Sequence, residues 1–483
     1  MICSLFFRAV YVACAIFAAH AARAEEAGPS ASVATSTRAG AVRPKVPTTE
    51  TILHYFQGSA ANDGATPYVA GLIAADDGSL YGATAQGGVW GGCAGMGCGA
   101  VFKLTPPASG VGPWTETILY QFPQAPGGCK GAYPGEIVTD RSGAIYGIAE
   151  GGGQIPCSVV YKLAPPQAGQ AQWSMTVLAA WTDTIYGQDY PLYLALGPDG
   201  ALYGVAQNGG SHGYGMIYKV TPNAHGSIDC SSPAGSSSRR CGVTVLYNFT
   251  GGADGGSPAG GLVFDASGAI YGSTTLGGAV NCGLGAAQGC GAVFRLTPPP
   301  PPTNCGVCAP AQWVLTSIYG FQGGLANDGA GPQGDLIIDS SGALYGVTAN
   351  GGPANQGTVF RLTPPAAGQT QWSEAILYSF PVTQTHTAPY GSRPFGRLVF
   401  DASGNLYGTT VGGGRWGMGV AYMLSPPQQG PAQWNETVLH SFNSTGGQDG
   451  STPLGFAIGK SGALYGMTMQ GGSYGWGEVF SLN

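Results

Sequence analysis

The chain is poor in charge: Asp, Glu, Lys and Arg make up only 9% of its 483 residues, against roughly 25% in ordinary soluble domains. Basic residues are the scarcest. With Arg8 and Arg23 set aside in a leader segment, 16 Lys and Arg face 24 Asp and Glu, a formal charge of −8. No stripe of cations exists to neutralise phosphates, which argues against nucleic acid as a partner. Long apolar runs are also missing. The longest, Ala9 to Ala22, is shorter than the roughly 20 residues a membrane span needs. It follows Arg8 and leads into the small-x-small site Ala22-Arg23-Ala24, the pattern of a secretory signal peptide over 1–24 cleaved before Glu25. Cys14 lies in the run, but Tyr11 stands three residues before it where a lipoprotein signal has an aliphatic residue, so lipid attachment is not expected. The expectation is an exported chain, secreted or periplasmic, with no membrane span.

Glycine and proline, in contrast, are abundant, at 85 and 35 residues. Scattered at random, they would mean a disordered low-complexity chain, and residues 25–47, rich in Ser, Ala and Thr, are expected to be such a linker. Elsewhere the excess is periodic. Tyr-Gly recurs at Tyr81, Tyr146, Tyr203, Tyr271, Tyr345, Tyr407 and Tyr465, at spacings of 57 to 74 residues. Around each lies the order seen most cleanly from Arg397 to Phe442, RLVFDASGNLYGTTVGGGRWGMGVAYMLSPPQQGPAQWNETVLHSF. A first β-rich run ends in a D-x-S-G turn, whose Asp caps the backbone while Gly takes positive φ. The LYGTT run and a Gly-Gly loop follow. A VF-x-L run is stopped by Thr-Pro-Pro, because proline cannot donate to a ladder. The ETVLHSF run closes the unit, often announced by Trp, as at Trp114, Trp173, Trp313, Trp372 and Trp434.

Each unit is an antiparallel meander that must stack on neighbours to bury both faces. The C-terminal unit stops after its third run at Asn483, and an orphan fourth run, ETILHYF, stands at Glu50 to Phe56. The predicted fold is therefore all-β: a seven-bladed β-propeller of four-stranded antiparallel blades over 48–483, its last blade (452–483) completed by the N-terminal strand 50–56. Such closure removes the open edge of a linear array.

The units, LYG-x-T-x-x-GG followed by G-x-VF-x-L-TPP, resemble the GloVer repeats of choice-of-anchor tandem repeat proteins from Glu50 to Asn483. The resemblance implies a surface or exported bacterial repeat protein and supplies no catalytic residues. Members often carry a C-terminal sorting signal, whereas this sequence ends at Asn483 inside a strand.

Ten cysteines follow the leader, an even number suited to disulfides in an oxidising compartment. Repeat position pairs Cys93 with Cys98, Cys129 with Cys157 and Cys282 with Cys290. Cys230 with Cys241 and Cys305 with Cys308 staple two long inserts, unless those inserts cross-link to each other. The C-x-x-C at Cys305 lacks a βαβ context or a second C-x-x-C, so neither redox nor metal chemistry is expected of it. G-x-S-x-G at Ser211 and Ser473 falls in strand-to-strand glycine loops, not the strand-to-helix turn a nucleophile elbow needs. His54 and His440 occupy the fourth-strand position where other units place Tyr, and are expected to be strand residues rather than ligands. Asp63, Asp254, Asp328 and Asp449 recur in D-G loops, and Asp76, Asp140, Asp265, Asp339 and Asp401 in first turns. Turn capping accounts for both sets, with calcium as the alternative; no other cofactor is expected.

Candidate binding residues lie where the repeat is broken. Most units are apolar at the second position of the first run, yet Glu136, Asp335 and Arg397 stand there. In a propeller that run lines the central channel, and its start faces the same end as the Gly-Gly loops. Those loops carry Trp90, His212, Tyr214, Arg415, Trp416, Tyr474 and Trp476. Aromatic faces beside hydrogen-bonding groups suit sugar rings or an extended peptide, and Trp416, Tyr474 and Trp476 are expected to form one patch beside Arg397. The plainer alternative is solvated channel polars and locally packed aromatics. The function expected is a monomeric, non-catalytic module binding a glycan or protein. The alternatives are a propeller enzyme of lyase, lactonase or glycan-active type, and a structural envelope or matrix protein.

Overall fold

The computed structural model describes residues 50–483 except 69–70, 90–92, 111, 124–130, 152–157, 171, 182–190, 223–239, 279–281, 283–288, 301–311, 383–389, 428–433 and 445–446. The leader, the linker, Trp90 and the cysteine pairs 129–157, 230–241 and 305–308 fall wholly or partly outside this description. Among the described residues the secondary structure is β-strand with three short 3-10 turns and no α-helix. None of it is a helix long and apolar enough to cross a membrane.

The plainest unit runs Gly329–Ile338, Leu344–Gly351, Thr358–Thr363 and Ser373–Ser379, each strand antiparallel to the next. The same four-strand order recurs from Pro134, Pro191 and Gly391, and with shorter first strands from Ile73 and Gly256. The strands Gly450–Ile458, Leu464–Gly471 and Glu478–Leu482 take Glu50–Tyr55 as their fourth, antiparallel, with Glu50 opposite Leu482 and Tyr55 opposite Glu478.

Packing explains why the repeat needs Tyr-Gly. In each unit the aromatic ring of the third strand lies over that glycine: a Cβ on Gly346 would come 2.6 Å from the Phe360 ring, and one on Gly466 2.4 Å from Phe480. The same ring meets, edge to face, the Phe or Trp that ends the preceding unit's fourth strand. Phe321–Phe360, Phe380–Tyr422 and Phe442–Phe480 have centroids 5.1 to 5.3 Å apart. Phe122–Tyr161, Trp181–Tyr218 and Phe249–Phe294 repeat the contact. Phe56, just after the N-terminal strand, makes it with Phe102 at 5.4 Å. Such pairs contribute about 0.5–1.5 kcal/mol each beyond area burial.

A second contact ties one unit's Gly-Gly loop to the next unit. The carbonyls of Cys98, Tyr214, Cys290, Gln356, Met418 and Trp476 accept from the N–H groups of Tyr133, Ser257, Gly331, Arg393, Thr452 and Thr66 at 2.7 to 3.1 Å. Every one of these donors has φ between 50° and 61° and precedes a proline, whose ring rests on the loop's last glycine, as Pro332 does on Gly291.

The aspartates cap turns as expected. Asp140, Asp265 and Asp339 each take two backbone N–H groups, a Ser hydroxyl and the Tyr-Gly phenol. Asp401 does so with Asn405 in place of the serine hydroxyl. Asp76 departs: its neighbour Asp77 takes the Ser79 N–H, and Asp76 is exposed, paired with Lys460 at 3.1 Å. Ala75 stands at the capping position here, bonded through its N–H to the Ser79 carbonyl as Asp140 is to Ala144. The capping oxygen therefore comes from further along the turn. Cys93–Cys98 and Cys282–Cys290 are disulfides.

Candidate functional site

The charged residues that break the repeat sit four residues before the first-turn position, where the other units carry Gly71, Tyr193, Gly261 and Gly455. Three of these are glycine, and one of them, Gly261, clears space for a charged side chain. A Cβ on Gly261 would come 2.7 Å from Asp335 Oδ1, and Gly261 instead donates its N–H to that oxygen at 2.6 Å. Gly71, Glu136, Tyr193, Asp335, Arg397 and Gly455 line one cavity of about 210 Å³.

The structure brings the three predicted charges together. Arg397 Nε and Nη2 lie 2.8 and 2.7 Å from Asp335 Oδ2, and Nη2 lies 3.7 Å from Glu136 Oε1. Glu136 Oε2 accepts from the Leu194 N–H at 3.1 Å. Both acids are buried, whereas the Arg397 side chain is 51% exposed, so the guanidinium faces the open part of the cavity. Burial, then the Asp335 charge, pushes the Glu136 carboxyl well above the usual range, and Arg397 and the Leu194 N–H only partly offset this. Asp335 holds Arg397 protonated. Burial and the two acids push the Tyr193 phenol up as well. Two acids thus share one cation, and the state of lower cost keeps a proton on Glu136. Sequence reasoning missed Tyr193; its register four residues before a turn was the signal.

The three charges do not stand at strand starts. Each falls in a break of its own unit's register, between Pro134 and Ile137, Gln333 and Ile337, or Phe395 and Val399, and is released from that ladder; Arg397 pairs instead with Gly455 of the next unit. The strand itself starts earlier: Gly391 lies opposite Gly413 at the loop end. Arg397 is six residues further on, about 20 Å along an extended strand. The charged cluster and the loop aromatics are therefore two regions rather than one.

Within the loops, Tyr214, Trp416, Tyr474 and Trp476 are 39%, 39%, 55% and 38% exposed. They fall into two settings. Tyr214 and Trp476 share one loop position and lie over the next unit's glycine: a Cβ on Gly251 would come 2.6 Å from the Tyr214 ring, and one on Gly58 3.1 Å from Trp476 Nε1. Trp416 and Tyr474 share another position, two residues earlier in the loop; the Arg415 guanidinium lies 5.2 Å from the Trp416 ring centre.

No curated protein matches the chain. Among solved structures it is similar to a streptogramin B lyase, at 13% identity over 90% of this chain and 97% of that one, with a TM-score of 0.47. It is also similar to a catalytically inactive virginiamycin B lyase from Staphylococcus aureus, at 13% identity, 90% and 97% coverage and a TM-score of 0.46. PorZ, a surface component of the type-IX secretion system of Porphyromonas gingivalis, aligns at 14% identity over 86% of this chain and 46% of its own, with a TM-score of 0.46. Likenesses this distant say nothing of activity. In sequence, the model of the Gloeobacter/Verrucomicrobia repeat matches residues 41–283 and 174–390, and the chain belongs to that repeat family.

Proposed function

We propose that this chain is an exported, monomeric, seven-bladed β-propeller, closed by its N-terminal strand, that binds a glycan or protein on its Gly-Gly loops without catalysing a reaction. Blades are numbered in chain order, blade 7 being the unit that takes Glu50–Tyr55. Closure is supported by the junction of blades 7 and 1, which uses the same two contacts as the other junctions: the Phe56–Phe102 rings and the Thr66 N–H on the Trp476 carbonyl. Export is supported by the leader pattern and the two disulfides.

The observation that carries the binding role is the exposure of Trp416 and Tyr474 at one loop position of neighbouring blades 6 and 7. Both offer a flat face on a loop whose backbone is tied to the next blade, which suits stacking on sugars or peptide. The cavity is smaller than the roughly 300–1,000 Å³ of small-molecule sites, so the loops are the better surface. A glycan and protein binding array tests this, followed by W416A/Y474A. Affinity for the ligand found should fall by about 1–3 kcal/mol per side chain with the melting temperature unchanged; full affinity in the double variant rejects the site.

One observation favours a second reading, an enzyme with its site at the channel: Glu136 lies beside Arg397 and Tyr193 in the cavity, poised as a proton donor. Screening the chain against lactones and glycans, with and without calcium, separates the two. Turnover abolished by E136Q would favour the enzyme.

A further inference from the structure

The blades are clamped near their outer edges by a third repeated device. A residue late in one fourth strand meets the D-G aspartate of the next blade. Where that residue is tyrosine the bond is simple: Tyr319 donates its hydroxyl to Asp328 Oδ2 at 2.9 Å, and Tyr247 to Asp254 Oδ2 at 3.1 Å. At the two junctions flanking blade 7 histidine takes its place, beside a glutamate early in the following fourth strand, a position that Glu374 fills next to Tyr319 and Asp328. His440 Nε2 lies 3.1 Å from Asp449 Oδ2 and 3.4 Å from Glu50 Oε2; His54 Nε2 lies 3.1 Å from Asp63 Oδ2 and 3.6 Å from Glu116 Oε1.

These two clusters are poorly satisfied by hydrogen bonds alone. An Nε2 carries one proton or one lone pair and cannot serve two carboxylates. Glu50 Oε1 and Glu116 Oε1 are buried with no hydrogen-bond partner, as are Glu374 Oε1 and Glu436 Oε1 beside Tyr319 and Tyr378; Asp449 Oδ1, also buried without a partner, is the oxygen peculiar to a histidine junction. Beside the first cluster stands Glu478, where other blades place Ala100, Val159, Met216, Ala292, Thr358 or Val420. It is fully buried; Oε1 takes the Gly450 N–H at 2.7 Å, and Oε2 has no hydrogen-bond partner. Each cluster gathers one imidazole nitrogen and two carboxylates within 4.8 Å of one another, the kind of mixed donor set that binds a cation.

Spacing indicates the kind of cation. Ligands about 2.0–2.2 Å from one ion stand about 3.0–3.5 Å apart, and zinc binds imidazole nitrogen and carboxylate oxygen at that length. Calcium asks for six to eight oxygens. Asp63 and Asp449 also accept the backbone N–H groups of Gln57 and Asn443, both at 2.8 Å, as Asp328 and Asp254 accept those of Gln322 and Thr250, so the turn common to the repeat fixes each carboxylate's orientation.

We propose that His440/Asp449/Glu50 and His54/Asp63/Glu116 are two zinc sites that staple the N-terminal strand to the blades on either side of it. Glu50 and His54 are on that one strand, so it contributes a ligand to each site.

The test uses the purified full chain, stripped with chelator, reloaded with Zn²⁺ and desalted, with metal content and melting temperature measured. Two zinc ions per chain and a raised melting temperature are expected. H440Y and H54Y should each retain one, and the double variant none, its melting temperature no longer responding to zinc. Tyrosine is the residue that Tyr319 and Tyr247 supply at the equivalent place, so the metal-free variants should melt like the metal-free parent. If either fails to fold, E50Q and E116Q read the same loss of one ion each. A parent that retains no zinc, or a double variant that retains as much as the parent, overturns the proposal.

Discussion

Blade 5 is built from one continuous stretch, Gly329 to Ser379, whereas blade 7 is assembled from both ends of the chain, yet their ladders match. Leu344–Leu362 and Leu464–Leu482 occupy the same register, and a ring pair clamps each blade to the one before it, Phe321–Phe360 and Phe442–Phe480. The difference lies in the outer clamps. Blade 5 meets blade 4 through a tyrosine hydroxyl on Asp328, while both junctions of blade 7 use histidine between carboxylates. Identical packing suffices for a blade whose strands are covalently consecutive. A strand recruited from the far end of the chain must offset the entropy of closing a very long loop, and the clamps where it docks are the ones built with histidine.

The largest effect should come from removing the recruited strand. A chain lacking residues 50–56 loses the pairing with Glu478–Leu482 and the Phe56 ring. Calorimetry should show no single cooperative transition, and an exposed edge should drive aggregation. Parental thermal stability in that deletion would remove the distinction between blades 5 and 7.

Next in size is a pair of glycine substitutions of like φ in different places. Gly334 of blade 5 has φ +82°, and a Cβ there would come 2.3 Å from the Gly396 carbonyl oxygen. Gly404, at φ +80°, faces open space. In urea titrations G334A should cost about 3 kcal/mol or more, combining backbone strain with overpacking, and G404A about 1–2 kcal/mol from strain alone. Equal costs would mean that the inner strands do not approach as closely as described.

A pH effect is expected at the clamp between blades 5 and 6, where Tyr378 donates its hydroxyl to Glu436 Oε2 at 2.6 Å. Burial raises the Glu436 carboxyl to about 7, with the Tyr378 hydroxyl and the Gly391 N–H pulling it back down. Its folded value lies above the unfolded one of about 4.3, so the folded state holds the proton more tightly. The resulting stability is fully present below about pH 4.3 and is lost as pH rises through about 7. E436Q should flatten that decline and gain at most about 3 kcal/mol at pH 8; an unchanged pH profile would reject the assignment. The smallest stability effect is expected of W416A and Y474A, within about 0.5 kcal/mol each as exposed loop residues, whatever they do to binding. A larger loss by thermal melting would make them packing residues.

Much of this was legible because repetition makes each position visible several times. Tyr-Gly marked the second strand, and the count of third and fourth runs exposed the missing partner of Glu50–Phe56. The Cys93–Cys98 and Cys282–Cys290 pairs followed from loop position. The charged cluster was legible as three deviations, but their meeting was not, because it depends on bulges that turn Glu136, Asp335 and Arg397 out of their ladders. Loop aromatics were visible as residues, though not which of them rest on a neighbour's glycine. The carboxylates around His54 and His440 stayed hidden for a related reason. Each cluster draws on three segments, and only the stacking of blades brings Glu50 to His440 across nearly the whole chain.

The central claim is that the N-terminal strand is an integral part of blade 7. Amide hydrogen exchange followed by mass spectrometry tests it most directly. The amides of Thr51 to Phe56, paired with Glu478–Leu482 and with the Gly477 carbonyl, should be as protected as those of Ser373–Ser379, the fourth strand of blade 5, and should exchange only with global opening. Exchange of Thr51 to Phe56 within seconds, while Ser373–Ser379 stays protected, would contradict it.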